Sequence, residues 1–512
     1  MCAFAVGDMK GVTPESDPND ASKKDRRALN PLLAEIASNS APGKSYSPVV
    51  VAGLVRLVEF VLLLAGGLAL HEFYVAPVWG RSLDYVLATP AMAALALVAF
   101  QSLGLYSTSA FRTPIHHGLR IAAGWSIVFA VALAVVFFFK LGGAFSRIWL
   151  LGWYVLGLAL LAIERLAVAM IVRRLTHQGK LDRRTAIVGG GVLADPVLRD
   201  LAAQEGGDLR ILGIFDDRTD NRSPDVVAGY PKLGTVDDLV EFARHTRIDL
   251  VIFTLPISAE ARLLQMLRKL WVLPIDIRLA AHTNKLRFRP RSYSYIGNVP
   301  VIDVFDKPIA DWDVVVKNIF DKVVGALCLI LLAPVMALIA VAVKLDSPGP
   351  VLFRQRRHGF NNEVIEVYKF RSMYVNQLDH SALKQVSRND PRVTRVGRFI
   401  RKTSLDELPQ LFNVVFKGNL SLVGPRPHAI VARAADLLYD EVVDGYFARH
   451  RVKPGITGWA QVNGWRGETD TPEKIQKRVE HDLYYIENWS ILFDVYILAM
   501  TPFALIKAEN AY

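Results

Sequence analysis

Four long apolar runs in the first third of the chain constrain its fold more than any other feature of the sequence. They occupy residues 49–70, 85–105, 121–139 and 148–172. Each run is long enough to cross a hydrocarbon core of about 30 Å. The hydrophobic content of 52% is also high for a soluble protein. The sequence therefore predicts a membrane α-helical region, a bundle of four transmembrane helices over residues 47–175.

Basic residues set the predicted orientation of these helices. They cluster before the first run, between the second and third, and after the fourth, while the other two connecting loops carry little charge. The positive-inside rule then places both ends of the bundle in the cytoplasm. Residues 1–46 are polar and have no sustained apolar period, which predicts a disordered cytoplasmic tail.

The overall charge indicates which kinds of molecule the protein binds. A formal net charge of +11 lies mainly beside the apolar runs and in the C-terminal third, where it suits anionic membrane lipids and phosphorylated substrates. The basic residues are not interleaved with aromatic ones as a base-stacking surface requires, so we expect no nucleic-acid partner. Two cysteines, Cys2 and Cys328, indicate neither a disulfide framework nor a metal cluster.

Residues 180–285 have the pattern of a soluble α/β domain. Apolar strand-like runs such as IDLVIF alternate with helical stretches, which is typical of a small parallel sheet covered by helices. Gly189, Gly191 and Ala194 satisfy the G-x-G-x-x-A pattern of a nucleotide-binding turn after the first strand. Such a turn also serves simply to pack a helix on a sheet. We therefore predict a Rossmann-like, degenerate nucleotide-binding domain.

A fifth apolar run, residues 323–343, carries no charge and has Pro334 near its middle. It is long enough to span a membrane, but basic clusters flank both of its ends. A spanning helix would carry one cluster across the membrane against the charge rule. We therefore predict a proline-kinked re-entrant helix, 319–344, within a mixed α/β catalytic domain, 310–512. The last apolar segment contains Asp494, so we expect it to lie in the membrane interface.

The motif KTSLDELPQ places two adjacent carboxylates, Asp406 and Glu407, just before an apolar helical run. Neighbouring residues lie about 100° apart around a helix, so the pair suits two separate tasks, on a substrate atom and on a metal, better than sharing a proton. The other interpretation is an ordinary helix start, where acidic residues favour the first turn. Pro409 fits only that first turn, so we expect the helix to begin near Asp406.

Basic residues recur in the turn-rich motifs of the same domain. Each one alone is typical of a solvated surface charge, but together beside a carboxylate pair they indicate a site for a diphosphate, because the arginine fork binds phosphate oxygens bidentately. The candidate phosphate ligands are Arg354, Lys369, Arg371, Arg401 and Arg426. No Ser-His-Asp arrangement, Walker loop or His-x-x-x-His pair in the sequence competes for the chemistry.

The motifs FRQRRHG, KFRSM, RKTSLDELPQ, VGPRP and KPGITGWAQVNG together resemble the bacterial sugar transferase domain of monotopic phosphoglycosyl transferases. With four membrane helices and a degenerate nucleotide-binding domain before it, the chain is similar to the large members of the undecaprenyl-phosphate glucose phosphotransferase type. The resemblance covers nearly the whole chain beyond the polar tail. It implies a multi-pass enzyme of the bacterial inner membrane, with its catalytic domain on the cytoplasmic face.

The resemblance also implies roles for individual residues. Asp406 would be a covalent nucleophile and Glu407 the ligand of a Mg²⁺ cofactor. Arg401 and Arg426 would bind phosphate, and Asp482 would be a further acid needed for activity. The implied reaction transfers a hexose 1-phosphate, with glucose 1-phosphate the first expectation, from a UDP-sugar to undecaprenyl phosphate and releases UMP. It would be the first membrane step of exopolysaccharide or capsule synthesis.

Two rival functions stay open at this point. A membrane-anchored nucleotide-sugar oxidoreductase would use the turn at Gly189, although that domain lacks a Tyr-x-x-x-Lys pair. A non-catalytic scaffold for polysaccharide assembly would use none of the site residues. The sequence also leaves open the transferred sugar, a homodimeric state, and the capping of the backbone at Ala333-Pro334, where the family often has Ser-Pro.

Overall fold

The computed structural model consists of a group of apolar helices, a middle domain built on a β-sheet, and a C-terminal domain that begins with one long helix. It describes residues 31–39, 45–203, 208–218, 223–281, 293–297, 299–375, 390–428, 433–434, 437–438, 443, 445–467 and 471–507. These three parts follow the order that the sequence predicts.

Four helices that are long and apolar enough to cross a membrane lie where the sequence predicts four. Their bounds are Pro48–Leu70, Leu83–Ser102, Pro114–Phe138 and Arg147–His177. The first continues through the π-helical segment His71–Val75 into a short helix, Ala76–Trp79, and another short helix, Thr108–Arg112, precedes the third. Ser47, Ser82 and Ser146 each cap a helix by accepting a hydrogen bond from a backbone N–H of its first turn.

These four helices pack around an aromatic core. Trp125, Trp149 and Trp153 are buried, and the ring of Trp153 contacts the rings of the other two. The indole N–H groups of Trp149 and Trp153 donate to the carbonyl oxygens of Gly67 and Leu63 on the first helix, at 2.9 and 3.1 Å. The outward faces carry many exposed Leu, Val, Ile and Phe side chains. A surface of this kind is stable in lipid rather than in water, and the protein is membrane-embedded.

The middle domain contains an eight-stranded sheet. Its strands are β1 Arg183–Val188, β2 Leu209–Phe215, β3 Val226–Val227, β4 Tyr230–Gly234, β5 Leu250–Phe253, β6 Asp276–Ala280, β7 Ser294–Ile296 and β8 Val299–Phe305. Their order is β3-β4-β2-β1-β5-β6-β8-β7, and the five from β4 to β6 are parallel. Helices Val236–His245 and Glu260–Leu270 cover one face, and Ala194–Ala202 covers the other. This arrangement is the predicted Rossmann-like core.

The described residues correct two predicted boundaries. The predicted tail, 1–46, contains a helix, Pro31–Asn39, whose Leu33 is fully buried in the core of the middle domain. Nine residues are too few for an apolar period to stand out in the sequence, and residues 1–30 and 40–44 lie outside the described part. The predicted end at residue 285 is too early, because β7 and β8 extend the sheet to Phe305 as antiparallel strands.

The C-terminal domain is mixed α/β, as predicted. It begins with the helix Asp311–Asp346, called the long helix below, and continues with the antiparallel pair β9 Leu352–His358 and β10 Val364–Phe370. Its other strands are β11 Ser421–Val423, β12 Arg433–Ala434, β13 Leu437–Leu438 and β14 Gly455–Thr457. Its other helices are Arg395–Lys402, Gln410–Phe412, Trp459–Val462, Pro472–Glu487 and the C-terminal helix, Ile491–Lys507.

The long helix is a fifth segment long and apolar enough to cross a membrane. It continues through Pro334 as one helix, so the predicted kink does not interrupt its secondary structure. A proline removes one backbone hydrogen bond there without ending the helix.

The long helix has two unlike faces. One face packs on the rest of the C-terminal domain along most of the helix, through Lys317, Asp321, Gly325, Leu332, Met336, Ile339 and Val343. The opposite face is exposed and apolar, with Val323, Leu327, Leu331, Leu338, Val341 and Leu345. Both sets recur every three or four residues, which is the spacing of one helix face.

A buried ion pair fixes the start of the long helix. The Lys317 ammonium donates to Asp494 of the C-terminal helix at 2.6 Å and to the Val423 carbonyl oxygen at 3.1 Å. Asp494 is fully buried and also accepts from the Tyr485 hydroxyl at 2.8 Å. The acid in this apolar segment therefore faces the protein core, and the opposite side of the helix is free to face lipid.

The helix Pro31–Asn39 gives the first testable prediction. Leu33→Ala removes its fully buried side chain, and such truncations cost about 2–5 kcal/mol. We expect a lower unfolding midpoint and faster protease cleavage near residue 40 for the whole protein in detergent. The control is Ala34→Ser at an exposed neighbouring position. Equal midpoints for Leu33→Ala and the control would contradict the docking of this helix.

Candidate active site

The carboxylate pair Asp406 and Glu407, called the dyad below, lies on an irregular turn that spans residues 404–412. This segment is called the dyad turn. Ser404 has a left-handed backbone with a φ of 60°, and Leu405–Glu407 then form one 3₁₀ turn. The backbone N–H groups of Glu407, Leu408, Leu411 and Phe412 each donate to the carbonyl oxygen three residues earlier. Pro409, which has no N–H, lies between these two pairs of bonds. The helical run predicted to begin near Asp406 therefore starts one residue earlier with a tighter 3₁₀ turn. It continues as the short helix Gln410–Phe412 and the π-helical segment Asn413–Lys417.

Apolar side chains hold the dyad turn on the long helix. Leu405 and Leu408 pack in one cluster with Met336 and Ile339 of that helix. Leu411 belongs to the main core of the domain. The leucines before and after the dyad thus point toward the core of the domain. The two carboxylates are left at the surface of the site, both partly buried.

Glu407 is held by two cations. Its Oε1 accepts from Lys369 at 2.8 Å and from Arg426 at 2.6 Å, and its Oε2 accepts from Arg426 at 3.3 Å. Burial alone would raise the pKa of Glu407, but the charges of Arg426 and Lys369 outweigh it and hold this pKa well below the ordinary glutamate value. Glu407 is therefore a fixed anion at neutral pH.

Asp406 has a different environment. Among the residues that the structure describes, none donates a hydrogen bond to its carboxylate or pairs with it within ion-pair distance. Burial raises the pKa of Asp406, Lys369 opposes this rise, and the neighbouring Glu407 charge adds to it. A carboxylate that is desolvated and unbonded, yet close to cations, has the properties of a nucleophile.

Successive side chains of a strand point to opposite faces of the sheet, and this alternation determines which arginine of FRQRRHG lies near the site. Arg354 lies opposite Tyr368 in the β9–β10 ladder and stacks over its ring, on the face away from Lys369. Arg357 lies on the same face as Lys369 and borders a small cavity together with Glu407 and Arg426. The structure thus gives no support to Arg354 as a phosphate ligand. The arginine of this motif that lies beside the dyad is Arg357, which the sequence did not single out.

The remaining predicted phosphate ligands differ in position. Arg401, at the end of helix Arg395–Lys402, is partly buried and lowers the pKa of Asp406 through its charge. Arg371 is almost fully buried and donates to the carbonyl oxygens of Ser347 and Pro348 at 2.6 and 2.8 Å. Arg371 therefore closes the end of the long helix and does not point toward the dyad.

Asp482 is connected to the dyad through other residues and not by direct contact. Its carboxylate accepts from Arg449 at 2.5 Å, and both side chains are buried. The same Arg449 nitrogen donates to the Arg426 carbonyl oxygen at 2.7 Å. Burial raises the pKa of Asp482, and Arg449 opposes this rise. Asp482 thus positions Arg426, the cation that holds Glu407, through a buried arginine that the sequence did not single out.

The glycine turn of the middle domain lies where the sequence predicts it. Gly189, Gly191 and Ala194 connect β1 to the helix Ala194–Ala202, and the Gly190 N–H donates to Asp216 at 2.7 Å. Arg218 also binds that carboxylate, at 2.6 Å. Burial opposes ionisation of Asp216, but these bonds lower its pKa to about 2. A protein carboxylate therefore occupies a backbone donor of this turn, as in a degenerate site.

The dyad fits a Mg²⁺ ion only together with a phosphorylated substrate. Within the described residues, no group of three or more His, Cys, Asp or Glu side chains could hold a metal ion. Mg²⁺ usually takes one or two carboxylates and completes its shell with water and substrate phosphates. A single carboxylate, that of Glu407, together with substrate phosphates matches that ligand set, and the carboxylate of Asp406 is then left for the substrate.

The chain matches two family models and several known proteins. Residues 312–508 match the model of the bacterial sugar transferase family, and residues 101–281 match that of a CoA-binding domain. The chain is 33% identical over 491 residues to the UDP-glucose:undecaprenyl-phosphate glucose-1-phosphate transferase of Xanthomonas campestris pv. campestris, covering 94% of this chain and 100% of that relative. The chain belongs to the bacterial sugar transferase family.

Two further relatives support this membership. A UDP-glucose:undecaprenyl-phosphate glucose-1-phosphate transferase of Escherichia coli (strain K12) is 36% identical over 428 residues, 82% of this chain and 89% of the relative. The exopolysaccharide production protein PSS of Rhizobium leguminosarum bv. phaseoli is 50% identical over 186 residues, 36% of this chain and 92% of the relative. The part of this sugar transferase that matches the family model contains the whole dyad site.

The Arg449–Asp482 pair gives the second prediction. Asp482→Asn removes the carboxylate charge that pairs with the buried Arg449, and breaking a buried ion pair typically costs about 3–5 kcal/mol. We expect both the unfolding midpoint and the turnover of the sugar transferase to fall. Glu480→Gln, on the same helix but exposed and paired with Lys477, is the matched control. Lost turnover with an unchanged midpoint would instead give Asp482 a direct role on the substrate.

Proposed function

We propose that this sugar transferase moves glucose 1-phosphate from UDP-glucose to undecaprenyl phosphate and releases UMP. The observation that carries the proposal is the asymmetry of the dyad, with Glu407 held by two cations and Asp406 desolvated and unbonded. The names of two relatives describe this transfer for those proteins. The name of the third relative refers to exopolysaccharide production, which supports a role in the first membrane step of exopolysaccharide or capsule synthesis.

The first half-reaction uses Asp406 as a covalent nucleophile. A carboxylate oxygen attacks the phosphorus that carries the sugar and forms an O–P bond. The bond from that phosphorus to the bridging oxygen breaks, and UMP leaves with the bridging oxygen. In the second half-reaction, a phosphate oxygen of undecaprenyl phosphate attacks the same phosphorus and frees Asp406. Both nucleophiles are already anions, so neither step needs a base to remove a proton.

Charge neutralisation is the main catalytic task in both steps, because each brings an anion toward an anionic centre. Lys369, Arg357 and Arg426 surround the dyad on one side, and Arg401 adds its charge near Asp406. A Mg²⁺ ion held by Glu407 and the substrate phosphates would supply further neutralisation of the phosphate oxygens. Glu407 then has two tasks, to order the cations and to provide a metal ligand.

We also propose that the long helix is re-entrant, with both ends on one side of the membrane. Asn361, which follows this helix, donates to the Ala243 carbonyl oxygen of the middle domain at 2.9 Å. Arg451 donates to the Asp306 carbonyl oxygen at 2.9 Å. Both acceptors precede the helix in the chain. A straight crossing of the membrane would separate these partners, so the contacts support a return to the same side.

Further contacts support the cytoplasmic side for both domains. The Tyr46 N–H donates to the Lys180 carbonyl oxygen at 3.0 Å, which joins the start of the first apolar helix to the end of the fourth. Arg112, between the second and third, pairs with Asp208 of the middle domain at 3.1 Å. This is the basic face of the bundle, which the positive-inside rule assigns to the cytoplasm of a bacterial inner membrane.

Labelling of single cysteines tests the re-entrant arrangement. In a background with Cys2→Ser and Cys328→Ser, we introduce Asp313→Cys or Lys344→Cys, both at exposed positions near opposite ends of the long helix. We expect an impermeant thiol reagent to label neither in intact cells and both after permeabilisation. Lys140→Cys, in the loop between the third and fourth helices, is the positive control from outside. Labelling of Lys344→Cys in intact cells would disprove the arrangement.

The covalent mechanism is tested without the lipid acceptor. Purified enzyme with Mg²⁺ and UDP-glucose should release up to about one UMP per active site and retain the sugar phosphate on Asp406. Asp406→Asn should abolish both signals, with a loss of about a thousandfold or more, roughly 4 kcal/mol of barrier. Glu407→Gln should be severely impaired and partly restored by extra Mg²⁺.

The control for these variants is Glu366→Gln, at an exposed carboxylate on β10, which should behave as the unaltered enzyme. If Asp406 served only as a base for direct attack by the lipid phosphate, no UMP would appear until lipid was added. An enzyme that forms neither UMP nor an adduct without lipid, but turns over normally with it, would refute the covalent role. An oxidoreductase or a scaffold would produce no UMP under either condition.

A further inference from the structure

A mainly apolar cleft of about 220 Å³ adjoins the dyad. Its walls include Cys328 and Leu332 of the long helix, Leu408 of the dyad turn, and Leu498 and Ala504 of the C-terminal helix. An apolar cavity of about 150 Å³ is enough to bind benzene. The cleft therefore has room for a hydrocarbon group next to the dyad, whose Glu407 belongs to its lining.

The two helices that line the cleft also face lipid. Leu332 lines the cleft, while the next residue in the chain, Leu331, is 67% exposed on the outer face of the long helix. In the same way Ala504 lines the cleft, and Phe503 beside it is 60% exposed. Adjacent residues lie about 100° apart around a helix, so less than one turn of either helix separates the cleft from the exposed apolar surface.

The cleft has a polar end at the dyad. Ser404, Glu407 and Arg466 belong to its lining, and an Arg466 guanidinium nitrogen donates to the Ser404 hydroxyl. Arg466 follows the KPGITGWAQVNG motif and was not among the residues that the sequence singled out. A guanidinium at the inner end of an apolar cleft is complementary to a hydrocarbon chain with an anionic end, and a phosphate fits the arginine fork.

We infer that this cleft is the acceptor subsite, in which the first isoprene units of a polyprenyl phosphate lie between the long helix and the C-terminal helix and the phosphate binds Arg466. The inference rests on the proposed function, since it assigns a place to the second substrate of that reaction. Arg466 would then hold the attacking phosphate beside the phosphorylated Asp406. Lys369, Arg357 and Arg426 remain available for the phosphates of the sugar nucleotide.

Filling the cleft tests the subsite. Ala504→Trp should raise the KM for polyprenyl phosphate at least about tenfold more than the KM for UDP-glucose, because a bulky ring would occupy the space of an isoprene unit. The control is Leu492→Trp, on the same helix but 77% exposed, which should change neither KM. Equal effects of Ala504→Trp on the two KM values, or no effect on either, would overturn the inference.

The native thiol in the cleft provides a direct binding measurement. In a Cys2→Ser variant, Cys328 is the remaining cysteine of the chain, and its modification by a small maleimide can be followed in bilayer nanodiscs. Polyprenyl phosphate should slow this modification at least about fivefold, and UDP-glucose should not. Polyprenol without a phosphate should protect less well, and Arg466→Gln should remove the difference between the two lipids.

The outcomes separate this inference from the proposed function. An enzyme that releases no UMP under any condition refutes the proposed function itself. An enzyme that transfers sugar phosphate, but whose Cys328 is protected equally by phosphatidylglycerol and by polyprenyl phosphate, has a cleft that holds any membrane lipid. That result would overturn the acceptor subsite and leave the reaction intact.

Discussion

The long helix packs on a protein core with one face and exposes apolar side chains on the other. The position of the active site depends on this division between its two faces. Its inner face packs Met336 and Ile339 against Leu405 and Leu408 of the dyad turn, while its outer face exposes apolar side chains such as Leu338. Backbone groups exposed to hydrocarbon must be bonded within the chain, and a continuous helix meets that need. The dyad is therefore fixed relative to the same element that meets the lipid.

The electrostatics of the dyad follow from this packing. Two adjacent carboxylates in a partly buried site repel each other, and one of them must gain partners before both can ionise. Glu407 gains Lys369 and Arg426, and its charge then adds to the burial that raises the pKa of Asp406. If cations were bonded to both carboxylates, the nucleophile would be blocked. The unequal sharing of cations leaves Glu407 as a fixed anion and leaves Asp406 available for the attack on phosphorus that we propose.

Much of this architecture follows from sequence, because apolar runs, glycine turns and the dyad motif are local signals. The four apolar helices, the Rossmann-like core and the mixed C-terminal domain all follow from such signals. Contacts between distant segments do not. Arg357 rather than Arg354 reaches the site because of strand pairing, Arg371 turns out to close the long helix, and Asp482 acts through Arg449. In each case charge and motif were visible, whereas the direction of the side chain depends on tertiary packing.

The middle domain contributes to the structure through its contacts with both neighbouring parts of the chain rather than through its glycine turn. That turn already has a carboxylate partner in Asp216, so an anionic phosphate would meet negative charge where other Rossmann-like domains offer free N–H groups. Its edges instead contact both neighbours, with Asp208 bound to Arg112 below the bundle and Ala243 bound to Asn361 of the catalytic domain. These contacts connect the catalytic domain to the apolar helices through the middle domain. In the proposed reaction, the soluble nucleotide sugar would reach the dyad through water, and the lipid phosphate would reach it through the apolar cleft.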